Sequence, residues 1–203
     1  MIRALISVFL LILWLPPRSL QASTPLVLTV RVHLVQSVTH PRLQSTLSEA
    51  GVRAIFDDVN VIWAQAGIRF EIEAIGTLQA LNIPPKKWFE KDRNWVKAAI
   101  PTSEFSPAAI DVCFVKEMGP NGFFYGEPVV VCENPEFTKV KGGTDNAVAR
   151  VAAHELGHVL FLKHRQDHTN LMASGRNGVS LNPQEITDAR GRALQILGQP
   201  QNP

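Results

Sequence analysis

Apolar and polar positions divide the chain into a short series of elements. Leu26 to Val35 is rich in β-branched residues and alternates toward its end, which predicts a strand. From Ser45 to Gln65, Leu47, Ala50, Ala54, Ile55, Val59, Ile62 and Trp63 recur at helical spacing, and Gly67 stops that helix. Ile68 to Ile75 alternates as a half-buried strand. The pattern weakens from Gly76 to Pro107, where Pro84-Pro85, an amphipathic piece from Trp88 to Ile100, and Pro101 predict a long surface excursion. Ile110 to Val115 is apolar enough for a buried strand. After a turn at Gly119-Pro120-Asn121-Gly122, the breakers Gly126 and Pro128 make Phe123 to Pro128 an edge strand or bulge. Val129 to Cys132 resumes as a strand. Thr144 or Asp145 can cap a helix from Asn146 to about Leu160, and Pro183 opens a last helix to Leu197. The order predicts an α+β domain with a mixed sheet and helices at the end.

Composition narrows the class. The chain has 203 residues, 45% of them hydrophobic, which suits one compact domain plus a processed terminus. The 20 basic and 18 acidic residues are interspersed, so neither nucleic acid nor a polybasic membrane contact has an electrostatic footprint. Residues 1–22 read as a secretory signal peptide. Arg3 supplies the positive start, Ala4 to Leu15 is apolar except for Ser7, and Leu20-Gln21-Ala22 offers a cleavage site. That run is shorter than the about 20 residues of a membrane span, so no stable anchor is expected after cleavage. The mature catalytic domain is then 23–203, exported to the periplasm or beyond and monomeric, with no room before Leu26 for a folded propeptide. In an oxidising compartment the two cysteines, Cys113 and Cys132, are read as a disulfide.

Four of the six histidines, His154, His158, His164 and His168, fall within 15 positions. His154-Glu155-Leu156-Gly157-His158 lies on the best-predicted helix, and residues four apart project from one side of it. Two imidazoles so placed can share a Zn²⁺, with Glu155 beside them as the base that takes a proton from a water on the metal. A catalytic zinc needs a third protein ligand. His164 can supply it only if the chain turns after Leu160, and Met172 follows in Asn170-Leu171-Met172.

His154 to His164, followed by Asn170-Leu171-Met172, resembles the long zinc signature and Met-turn of the metzincin metallopeptidases, most like small bacterial matrixin-like enzymes. The likeness spans most of residues 26–197, though only about 20 residues carry a specific motif. It implies a zincin-like single domain with a twisted, mostly parallel mixed sheet, an active-site helix, a Met-turn and a C-terminal helix. It further implies one zinc held by His154, His158 and His164, Glu155 as general base, Met172 at the Met-turn, and a peptide substrate extended along Phe123, Phe124 and Tyr125. Two departures stand out. Phe161 occupies the position where the family has the glycine of its chain reversal, and Ser174 stands where some members have a tyrosine. A bulky residue at positive φ costs about 1–2 kcal/mol, so His168, Asp167 and, in a gluzincin-like arrangement, Glu185 remain alternative third ligands. The expected activity is that of an exported zinc endopeptidase. The alternative is a catalytically silent zinc-binding fold that serves as a protein-binding module.

Overall fold

The computed structural model describes residues 24–83, 93–124, 126 and 128–198. The predicted signal peptide, Pro84-Pro85, Trp88 and Tyr125 lie outside those residues. Strand β1 (Leu26–Gln36) pairs in parallel with β2 (Ile68–Gln79) on one side and β3 (Ile110–Val115) on the other. Strand β4 (Gly122–Phe124) is antiparallel to β5 (Val129–Cys132), which lies parallel to β3. The resulting order, β2-β1-β3-β5-β4, puts β4 at the edge, as its breakers predict. The sheet is mixed and mostly parallel.

Both faces of the central strands are covered, which is why β3 and β5 read as continuous apolar runs rather than as alternation. Leu28, Val30 and Val32 of β1, Val112 and Phe114 of β3, and Val129 and Val131 of β5 belong to one buried cluster. Their neighbours Val35, Cys113, Val115 and Val130 belong to a second cluster, together with Leu43, Trp95 and Val96. Trp95 and Val96 come from helix α2 (Arg93–Ala99), the described remnant of the predicted amphipathic piece.

Helix α1 (Glu49–Trp63) begins later than Ser45, because Ser48 accepts from the Gly51 N–H at 3.1 Å and sets the boundary. Thr46 is held back by its N–H and hydroxyl, which both donate to the Glu133 carboxylate at 3.0 and 2.7 Å. Strand β2 outruns its predicted end at Ile75. A bulge at Glu73 resets the register, and Gly76 to Gln79 then pair with His33 to Gln36. Helix α3 (Ala147–Val159) is capped by Asn146, whose Oδ1 accepts from the Ala149 N–H at 3.1 Å. Neither Thr144 nor Asp145 takes that role. Asp145 pairs instead with Lys139 at 2.9 Å. Helix α4 (Pro183–Ile196) starts with Asn182 as cap and Pro183 in the first turn. Trp63, fully buried, fastens α1 to α3 by donating from Nε1 to the Ala153 carbonyl at 3.2 Å. No helix among the described residues is long and apolar enough to cross a membrane.

The disulfide expected from the cysteine count does not form. Both cysteines are free and buried. The β3–β5 register sets Cys113 opposite Val130 and Cys132 opposite Val115. Two residues of offset between adjacent strands amount to about 8 Å, beyond the roughly 7 Å that a disulfide tolerates between Cα atoms. Burial pushes both thiols up, Cys113 well above the ordinary cysteine value. A thiol reagent should therefore label neither cysteine in the native protein and both on unfolding, with no reductant added. Labelling that requires prior reduction would restore the disulfide.

Candidate metal centre

The centre is built from α3 and the turn that ends it. His154 and His158 stand one helical turn apart, with ring centroids 4.8 Å apart and planes nearly perpendicular. Each ring is oriented by a backbone acceptor. His154 Nδ1 donates to the Leu171 carbonyl and His158 Nδ1 to the Leu162 carbonyl, both at 2.8 Å. That leaves each Nε2 as the lone-pair nitrogen, the arrangement metal-binding histidines use. Burial is the main force holding the imidazolium forms down, to about 3 for His154, where positive Arg150 adds to it, and below the ordinary value for His158. Both rings are neutral at neutral pH and free to donate to a cation.

The third histidine arrives because the helix ends in a reversed loop. The Leu162 N–H reaches back to the Gly157 carbonyl at 2.9 Å and the Phe161 N–H to the His158 carbonyl at 3.0 Å. These are the two bonds of a Schellman motif, which requires a left-handed residue between them. Phe161 takes that position, at φ 64. The chain thus tolerates phenylalanine where glycine is the easy choice, and the reversal carries His164 back over the helix. Its Nε2 lies 3.3 Å from that of His154 and 3.1 Å from that of His158. Tetrahedral zinc with ligands at about 2.0–2.1 Å spaces its nitrogens by roughly 3.3–3.4 Å. Two of the three pairs are close to that spacing and all three ligand atoms lie within 4.8 Å of one another, so the imidazoles can converge on such an ion, and they form the only metal-ligand cluster of this kind among the described residues.

The alternative third ligands stay outside this group. Asp167 accepts from the N–H and hydroxyl of Thr169 at 2.9 Å each, and His168 is exposed. Glu185 is fully buried, with its carboxylate already occupied. Arg165 Nε and Asn170 Nδ2 donate to it at 2.7 Å, and the Asn182 N–H at 2.8 Å completes the capping box of α4. Glu185 is a brace. Asn170 passes that bracing on, accepting from the Met172 N–H at 2.7 Å. Met172 is fully buried, and a Cβ on Gly157 would lie 2.6 Å from its sulfur, so the absence of a side chain there lets methionine pack against the histidine-bearing turn.

Arg150, one turn before His154, is the residue the sequence reading missed. It is 2% exposed, and its guanidinium donates to the carbonyls of Leu171 at 2.6 Å, Ala173 at 2.5 Å and Gly178 at 3.3 Å. Leu171 O thus receives both Arg150 and His154, which ties the His154 ring to the loop around Met172. The signal was available as a lone charge on an otherwise apolar helix face. Arg150→Met should cost about 2–4 kcal/mol of stability, read by denaturant unfolding, since buried carbonyls lose their donor.

Glu155 is 6% exposed and makes no hydrogen bond among the described residues. Burial pushes its carboxyl up to about 8, while Arg150 pulls the other way. It lies directly beneath β4. A Cβ on Gly122 would meet Glu155 Oε1 at 2.8 Å and Val151 Cγ1 at 2.6 Å, so only glycine lets the edge strand pass this close. Of the predicted substrate strand, Phe123 turns its side chain into the second core cluster and Phe124 is half-buried.

No protein-family model and no curated protein matches the chain. Among solved structures it is similar to archaemetzincin of Methanopyrus kandleri, at 13% identity and a TM-score of 0.50, over 91% of this chain and 98% of that one. It is also similar to mirolysin, solved in complex with compound 9, at 12% identity and a TM-score of 0.57, over 83% and 92% of the two chains. The fold is zincin-like. In this zincin-like frame the histidine cluster, the loop around Met172 and the edge strand β4 come together around one end of α3.

Proposed function

We propose that the protein is an exported zinc endopeptidase, with His154, His158 and His164 as metal ligands and Glu155 as general base. The observation that carries this reading is the convergence of three imidazole nitrogens, two of them oriented by backbone carbonyls and 3.1–3.3 Å apart across two of the pairs, next to a carboxylate without a hydrogen-bond partner among the described residues. A silent zinc-binding fold needs the histidines but has no use for such a carboxylate. Zinc, when bound, supplies a Lewis acid that polarises a substrate carbonyl and acidifies water. Glu155 takes a proton from the attacking water as its oxygen adds to the peptide carbonyl. It then hands that proton to the amide nitrogen as the C–N bond breaks. The substrate peptide lies along β4, whose position at the sheet edge suits backbone pairing with an extended strand. Arg150 and the Asn170–Glu185 pair hold the ligands' supporting loop. The leader at 1–22 supports export to the periplasm or beyond, leaving a mature monomer of 23–203.

Stripping the metal with a chelator and adding zinc back tests this reading. Peptide cleavage should vanish on stripping and return in full at one zinc per chain. Cleavage that persists in the stripped protein would exclude a metal-dependent reaction.

A further inference from the structure

A cleft of about 830 Å³ opens beside the metal centre, with Phe124 of β4, Val129, Val159 next to His158, Phe161, Arg192 and Ile196 in its walls. Its volume falls within the range of small-ligand sites, and its lining is only slightly more apolar than polar. Phe161 is 64% exposed and Ile196 39% exposed, so two large apolar side chains are open to contact beside the same cleft. Phe161 also holds its left-handed conformation against strain that glycine would not feel, and strain of this kind is retained where it serves a site.

Arg192 adds charge to that wall. Its guanidinium carbon lies 4.0 Å from the centre of the Phe161 ring. Nη1 donates to Gln195 Oε1 at 3.1 Å, but the buried Nε has no hydrogen-bond partner among the described residues. The acid that lines the cleft, Asp111, is already engaged by His33 Nε2 at 2.6 Å and the Ser106 N–H at 3.1 Å. Arg192 is thus a cation with donor capacity to spare, stacked on an exposed aromatic ring, a setting that suits bidentate carboxylate recognition.

We infer that this cleft is a substrate subsite for a large apolar side chain and an acidic one two residues away, with Phe161 covering the first and Arg192 binding the second. The inference rests on the peptidase reading through β4, since a peptide paired along that strand toward Phe124 directs alternate side chains at the cleft. Fixed-position enrichment of an apolar and an acidic residue two positions apart near the cleaved bond is the expected signature in a peptide-pool digest. In Arg192→Met, the ratio of cleavage rates for matched glutamate and glutamine peptides should fall at least about tenfold. A second readout avoids catalysis: acetyl-leucyl-alanyl-glutamyl amide, titrated into the parent and followed by NMR, should bind more tightly than its glutaminyl counterpart. Arg192→Met should erase that difference, and Phe161→Ala should weaken both ligands. If the parent binds the probe in this Arg192-dependent way yet cleaves nothing, the subsite stands and the peptidase reading falls. Cleavage with no acidic preference, or probe binding unchanged in both variants, overturns the subsite.

Discussion

Replacing Glu155 with glutamine should lower peptide hydrolysis by about 10²–10⁴-fold, the range expected when a positioned base is removed. Zinc binding should survive, because Glu155 is not one of the clustered ligand residues. The effect is predicted from placement. Glu155 is nearly excluded from water, sits one residue from His154, and lies under Gly122 of the edge strand along which the substrate is proposed to run. Its pH behaviour follows from the same setting. Burial, partly offset by Arg150, raises the carboxyl to about 8, and a divalent cation nearby favours the ionised form and brings the value down. Only the ionised form accepts a proton, so activity should fall as pH drops through the Glu155 pKa. That acid limb should be absent from the residual rate of the glutamine variant. An unaltered rate in Glu155→Gln would remove Glu155 from the chemistry.

The second large effect separates His164 from Glu185. His164→Ala should weaken zinc binding by more than the 10–100-fold that loss of a supporting hydrogen bond costs, since a ligand itself is removed. Stability of the metal-free fold should change little, because His164 is exposed. Glu185→Ala should behave in the opposite way. It leaves the buried Asn170 amide, the partly exposed Arg165 and the Asn182 N–H without their acceptor. The expected loss is about 2–4 kcal/mol, or roughly 5–15 °C in Tm for a domain of this size, with far weaker effects on zinc affinity in the folded fraction. Calorimetric zinc titration paired with thermal unfolding reads both quantities. Strong zinc loss in Glu185→Ala, with unaltered binding in His164→Ala, would restore the gluzincin-like alternative.

What the sequence disclosed followed the range of the interactions involved. The β3 and β5 strands, α3 and α4 are local patterns, and their predicted limits agree with the structure to within one or two residues. His154, Glu155 and His158 share one helix, so spacing alone places them. Contacts between distant segments were not legible in that way. The Gly76–Gln79 extension of β2 exists because β1 pairs with it, not because its own residues alternate. Cys113 and Cys132 looked like a pair by count, but the β3–β5 register keeps them two rungs apart. Phe161 argued locally against the reversal that delivers His164. The two Schellman hydrogen bonds and the Arg192 contact hold it in place nonetheless. Glu185 was visible as a carboxylate and weighed as an alternative third ligand, and Asn182-Pro183-Gln184-Glu185 also carries the spacing of the capping box it forms.

The most direct measurement uses the parent and Glu155→Gln, each confirmed to hold one zinc per chain, on the same diverse peptide pool with new termini read by mass spectrometry. Three-histidine zinc catalysis with Glu155 as base predicts many internal cleavages by the parent and almost none by the variant. Equal cleavage by both, or none by the zinc-loaded parent, would contradict it.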